Sequence, residues 1–190
     1  MHHKKNKMLS MSSWASVVSK FKEYILEKKP VRLEIYTDAS YINQHHVGAV
    51  CFIVVMDDKE IYTKVESVVG KSEVYILELT AIVKALKWVT KAYPKAEVEI
   101  FSDSQGAIDA INGNYKNKSF KKLSRIQDGH ILKTADYKIT HITAHQKNGN
   151  FNDIADDMVR KCARSAAKRV VIKKKLKENR KQKAAVHRNK

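Results

Sequence analysis

The stretch "VRLEIYTDAS" (residues 31–40) decides how the rest of the chain is read. Leu33, Ile35 and Thr37 alternate with Glu34 and Tyr36, the period of a strand with one buried face. The pattern predicts a strand over 32–39, ending on Asp38 and two small residues. An aspartate in that place is ordinarily a turn former that bonds its own backbone two residues on. Whether Asp38 does more depends on where the other carboxylates fall.

Outward from this stretch the elements come in a consistent order. "HVGAVCFIVVM" (46–56) reads as a largely buried strand, Asp57-Asp58 as a turn, and "EIYTKVESVV" (60–69) as a third strand closed by Gly70. The three make an antiparallel meander. In "SEVYILELTAIVKALKWVTKAY" (72–93), Leu79, Ile82, Val83, Leu86 and Val89 fall at i, i+3, i+4, i+7 and i+10, the spacing of an amphipathic helix, and Pro94 follows its end. "AEVEIFSD" (96–103) is a fourth strand, "SQGAIDAING" (104–113) a short helix stopped by Gly113, and "YKITHITA" (137–144) a fifth strand before a last helix from about Asn152. Three strands followed by alternating helix and strand predict an α/β fold with a mixed sheet.

Composition limits the classes of protein this can be. With 190 residues, 43% of them hydrophobic, and only six Gly and two Pro, the chain fits one compact domain plus appendages. Its longest apolar run, "VGAVCFIVVM" (47–56), is too short to span a bilayer as a helix, and no apolar segment with a small-residue cleavage site follows the amino terminus, so a cytosolic protein with no membrane partner is expected. Cys51 and Cys162 lack metal-type spacing and are expected to be reduced, buried thiols. The net charge of +17 points to a polyanionic partner. Its distribution says more: residues 1–30 carry seven Lys against two Glu (+5), residues 165–190 eleven Lys and Arg against one Glu (+10), and 31–164 the remaining +2. The termini are electrostatic arms, and the middle must show its chemistry by other means.

Four acids stand at the places that matter. Asp38 and Asp103 end the first and fourth strands, at the carboxyl edge where open α/β sheets form their sites. Glu78 lies at the margin of the helix's apolar stripe, and Asp156 one turn into the last helix. Each has an ordinary structural explanation: Asp38 as a turn former, Glu78 as a flanking charge, Asp103 as an N-cap, Asp156 as a first-turn acid. Together they would repel and raise one another's pKa unless cations neutralise them, and hard oxygen ligands of this kind suit Mg²⁺ or Mn²⁺. A pair of such ions roughly 3.5–4 Å apart activates water and stabilises the leaving oxygen of a phosphodiester.

At this point the sequence resembles a type 1 ribonuclease H over about residues 31–164, through "YTDAS", "ELTAIVKAL", "SDSQGAI" and "TAHQKNGNFNDIADDMVRKCA", with 40, 25 and 53 residues between successive acids. The resemblance implies a ribonuclease H-like fold, with a five-stranded mixed sheet flanked by helices. It implies an Mg²⁺-dependent endonuclease that hydrolyses the RNA strand of an RNA/DNA hybrid with two ions per site, Mn²⁺ substituting, and leaves 5′-phosphate and 3′-hydroxyl ends. It implies that Asp38, Glu78, Asp103 and Asp156 hold the metals, with Asp157 as the alternative for the fourth acid. It implies His145 as a mobile loop histidine assisting proton transfer and product release, and Ser40, Gln105 and Asn152 as substrate contacts. Two departures stand out. Asp38-Ala39-Ser40 replaces the usual Asp-Gly-Ser, and only 41 residues separate Asp103 from His145, with the single basic cluster "NYKNKSFKKLSR" (114–125) where some members carry a long basic protrusion.

The chain thus divides into a basic extension at 1–30, a catalytic domain at 31–164 and a lysine-rich extension at 165–190. Trp14, Val17, Phe21 and Tyr24 predict a helix in the first, and the last continues the terminal helix. A monomer that grips nucleic acid through both basic termini is expected. The competing readings are a related integrase or resolvase on the same sheet and a catalytically silent nucleic-acid-binding module.

Overall fold

A computed structural model describes residues 30–113, 126–143 and 149–188, with side chains to 183; the expected N-terminal helix, the basic cluster at 114–125 and His145 lie outside the described residues. Five strands form one sheet: β1 (Arg32–Ile42), β2 (Val47–Met56), β3 (Lys59–Val69), β4 (Glu97–Ser102) and β5 (Lys138–His141). Their order is β3-β2-β1-β4-β5, antiparallel across β3, β2 and β1 and parallel across β1, β4 and β5. Among the described residues the α-helices are α1 (Val74–Ala92), α2 (Gln105–Ile111), α3 (Ile131–Thr134) and α4 (Phe151–Arg188). The expected mixed sheet is present, and α3 is an addition: four residues are too few to show a period.

Alternation along β2 divides the core in two. Phe52 and Val54 join Leu33, Ile35 and Ile100 against Leu79, Ile82, Val83, Leu86 and Val89 of α1. Cys51, Ile53, Val55 and Ala49 pack against Ala155, Val159 and Ala163 of α4. Both faces of β2 are therefore covered, which is why its sequence is a continuous apolar run. Each buried Leu, Ile or Val contributes about 1.5–3 kcal/mol relative to exposure. Tight turns close the meander: Asp57 and Asp58 both take positive φ, 50° and 59°, as a two-residue hairpin of the favoured twist requires.

β1 does not end where the alternation suggested. Its pairing with β2 continues to Ile42↔Val47, whereas its pairing with β4 stops at Thr37↔Ser102. Asp38 is consequently a mid-strand residue opposite Cys51, at the point where the parallel neighbour departs, and the turn-former explanation fails. Tyr41 and Ile42 extend the strand because a partner strand remains beside them. Nearby, Gly48 permits a close approach: a Cβ there would lie 2.5 Å from Leu77 Cδ1 and 2.7 Å from the Ser40 carbonyl oxygen. The glycine lets the first turns of α1 settle on the sheet, one residue before Glu78.

Candidate active site

Neighbours take the structural duties that could have explained the acids. Ser104, not Asp103, caps α2, its hydroxyl accepting from the Ala107 N–H. At the start of α4, Asn150 Oδ1 accepts from the Asp153 N–H while Asp153 Oδ2 accepts from the Gly149 N–H, so the first-turn acid is Asp153 and Asp156 lies beyond it. Glu78 sits deeper than the margin of its helix: it is 3% exposed, and Asp38 is 5% exposed. Each of the four ordinary explanations is thereby removed by a named contact or by burial.

Asp38, Glu78 and Asp103 come together from β1, from α1 and from the residue after β4. One carboxylate oxygen of each lies within 4.8 Å of the other two. The Ala39 N–H donates to both Asp38 Oδ1, at 2.7 Å, and Glu78 Oε1, at 3.1 Å. This bond belongs to the backbone, so alanine in place of glycine at 39 leaves it available. The other oxygens, Asp38 Oδ2 and Glu78 Oε2, are buried and have no hydrogen-bond partner among the described residues. Unpaired buried carboxylate oxygens cost free energy.

The proton affinities carry that cost. Burial first, and then the Asp103 charge, push Asp38 up to about 7 against the opposing Ala39 N–H bond. Burial, followed by Asp38 and Asp103, holds Glu78 well above the usual carboxylate range. Hard oxygen donors with orphaned lone pairs facing one another fit a divalent cation, and this acidic triad could bind one. Burial and the adjacent Asp38 push the Cys51 thiol up to about 12, so it is no nucleophile, and both cysteines are free.

Asp156 stands beside the triad rather than in its tightest group. Its charge raises Asp38, and its Oδ1 is held by Arg160 Nε at 2.6 Å. Asp157 points elsewhere: its side chain is 58% exposed and pairs with Lys161. Phe151 fixes the start of α4, with its ring 5.5 Å from that of Tyr36, which stacks at 4.9 Å on Phe101. Ser40 lies two residues beyond Asp38 on β1, partly exposed. Gln105 opens α2, with its amide donating to Asp109 Oδ1 at 2.8 Å. Asn152 is 2% exposed, and its Oδ1 has no hydrogen-bond partner among the described residues.

Two neighbours escaped the sequence reading. Arg160 is legible only once Asp156 is chosen, as its i+4 partner, and its charge lowers Asp38. His141 ends β5 with Nε2 3.3 Å from the Asp103 carbonyl oxygen. No spacing rule marks it, because the parallel pairing of β4 and β5 brings it there.

Comparison with known proteins bears on the family and the fold. The family model described as RNase H matches residues 30–164. No curated protein sequence gives a significant match. Among solved structures, the backbone is similar to LC11-RNase H1, isolated from compost and crystallised in complex with an RNA/DNA hybrid (TM-score 0.57, 21% identity, 71% of this chain and 99% of that one). It is also similar to RNase H1 of the halophilic archaeon Halobacterium salinarum NRC-1 (TM-score 0.57, 19% identity, 69% and 96%). A third is the protease-reverse transcriptase of prototype foamy virus (TM-score 0.56, 20% identity, 72% of this chain and 21% of that one). At these identities the structures establish the α/β ribonuclease H-like fold, and the family match over most of the chain establishes descent. The chain belongs to the RNase H family, as a type 1-like member.

Proposed function

We propose that this protein is an endoribonuclease that hydrolyses the RNA strand of RNA/DNA hybrids with two divalent cations, Mg²⁺ or in its place Mn²⁺, leaving 5′-phosphate and 3′-hydroxyl ends. The observation that carries the proposal is the convergence of Asp38, Glu78 and Asp103 from three elements to within 4.8 Å, two of them buried with oxygens that have no partner among the described residues. Such an arrangement is unfavourable for folding alone and favourable for holding cations. Family membership supports the nuclease class, and the hybrid bound in the LC11 structure supports the substrate.

Asp38, Glu78, Asp103 and Asp156 would hold the ions. When bound, the ions supply an activated water and neutralise charge developing on the phosphodiester. The chain's own groups set up that chemistry. The Ala39 N–H fixes one oxygen of Asp38 and one of Glu78, which leaves Oδ2 and Oε2 presented in fixed positions. Arg160 orients Asp156 and lowers the proton affinity of Asp38, easing its deprotonation near neutral pH. Gln105 would exchange its bond to Asp109 for a minor-groove contact, with Ser40 and Asn152 as further substrate contacts. His145 is assigned proton transfer and product release.

Cleavage of a 5′-labelled RNA/DNA hybrid, beside duplex RNA and duplex DNA, with Mg²⁺ or with chelator, tests this. The expected result is cation-dependent cutting of the RNA strand in the hybrid alone. Cutting or joining of DNA would favour the resolvase reading, and binding with no cleavage in either Mg²⁺ or Mn²⁺ would leave only a binding module.

A further inference from the structure

The second half of α4 leaves the sheet as a lysine-rich rod. Among the described side chains Ala166 and Ala167 are the last buried ones of the helix. From Lys168 to Lys183 only Val170 and Val171 are even partly covered, and the helix continues unbroken to Arg188. This segment holds nine Lys and Arg against Glu178 alone, a net +8. The positive charge is concentrated: Arg169, Lys173, Lys177 and Arg180 fall at i, i+4, i+8 and i+11 on one face, with Lys174 and Lys181 beside them. Like charges four apart disfavour a helix. The rod forms because the docked half of α4 supplies its nucleus, and a polyanion along the stripe would remove the repulsion. The exposed apolar residues Ile172 and Leu176 are too few to make an apolar docking face.

The same helix carries Asp156, so the stripe stands at a fixed distance from the carboxylates. At 1.5 Å per residue it begins about 20 Å from Asp156 and ends about 36 Å from it. We infer that this stripe is a second site for the phosphate backbone of the duplex being cut, engaging it about 6–11 base pairs from the cleavage site at 3.4 Å per pair. The inference rests on the proposed hybrid substrate and adds a length requirement to it. A duplex too short to reach from the carboxylates to the stripe gains nothing from those charges. Because phosphate contacts read charge and not sugar, the distant part of the duplex can be DNA/DNA as well as hybrid.

The test is binding by fluorescence anisotropy in chelator, as a function of salt. The probes are a hairpin-closed hybrid of about 5 base pairs, shorter than the distance at which the stripe begins, and an open one of about 30. The proteins are the full chain, its Arg169→Gln/Lys173→Gln/Lys177→Gln/Arg180→Gln variant, and Ile172→Pro, which keeps every charge and breaks the rod. On the long duplex the quadruple variant should flatten the log Kd against log salt slope by about 0.9 for each phosphate it no longer neutralises, about 3.6 in all. On the short hairpin the two should bind alike. Ile172→Pro should lose the advantage for the long duplex as the quadruple variant does. An unchanged slope in the quadruple variant overturns the second site, and wild-type length preference in Ile172→Pro overturns the fixed distance. Binding is read without turnover, so a protein that shows the slope change but never cuts would sink the nuclease proposal and not this one.

Discussion

Asp38, Glu78 and Asp103 gather negative charge where solvent is scarce, whereas Lys168 to Lys183 spread positive charge along a helix in full contact with water. Both regions concentrate like charge, and they resolve it differently. In the buried cluster Asp38 is pushed up to about 7 and Glu78 is held well above the usual carboxylate range, because desolvation and repulsion between neighbouring carboxylates add. Along the rod, water and salt screen each lysine from the next over about 8–10 Å, so the charge persists at the cost of a weakened helix. Burial thus decides what kind of counter-charge a cluster calls for: a localised cation inside, an extended polyanion outside. α4 joins the two, its docked half carrying Asp156 and its free half the stripe.

The comparison breaks first at Asp103. Asp103→Asn removes a proposed ligand and also a repulsive charge, so the two effects separate. Cation-dependent hybrid cleavage should fall by about 10²–10³-fold, the equivalent of several kcal/mol of transition-state stabilisation. In metal-free buffer the variant should melt no lower than the wild type, since the charge that raises Asp38 is gone. Undiminished cleavage would remove Asp103 from the site. A smaller effect sharpens the division of labour between neighbours: Ser104→Ala deletes the α2 cap and should cost about 1 kcal/mol of stability by denaturant titration. Full-rate cleavage at saturating cation should remain in this variant, because Ser104 only spares Asp103 the capping duty.

What the sequence made legible was what repeats locally. The i, i+3, i+4 spacing of Leu79, Ile82 and Val83 and the apolar run of β2 announced both core faces. The four acids were visible through motif order. Their status was not, because it depends on contacts between segments far apart in the chain: Ser104 and Asp153 doing the capping, β1 outlasting β4 beside Asp38, and the Ala39 N–H serving two carboxylates. Gly48 looked like any glycine in a strand until Leu77 was seen against it. The lysine-rich end reads from sequence as a continuation of the last helix, and its helicity depends on the docked half that precedes it.

If the buried carboxylates form the proposed cation site, thermal stability must depend on pH and on divalent cations together. Asp38 and Glu78 have folded pKa values above their unfolded ones, so the native state binds more protons than the unfolded state from about pH 4 to about pH 7. Their contribution to metal-free stability is therefore present below that window and lost as pH rises through it. A divalent cation binds the deprotonated form and should restore what is lost. The contribution of these two groups to the melting temperature in chelator should fall between about pH 4 and pH 7, and about 10 mM Mg²⁺ should raise the melting temperature clearly at the upper end of that window, little at the lower, and least in Asp103→Asn. A melting temperature indifferent to Mg²⁺ and Mn²⁺ at the higher pH, or an equal rise in Asp103→Asn, would contradict the account.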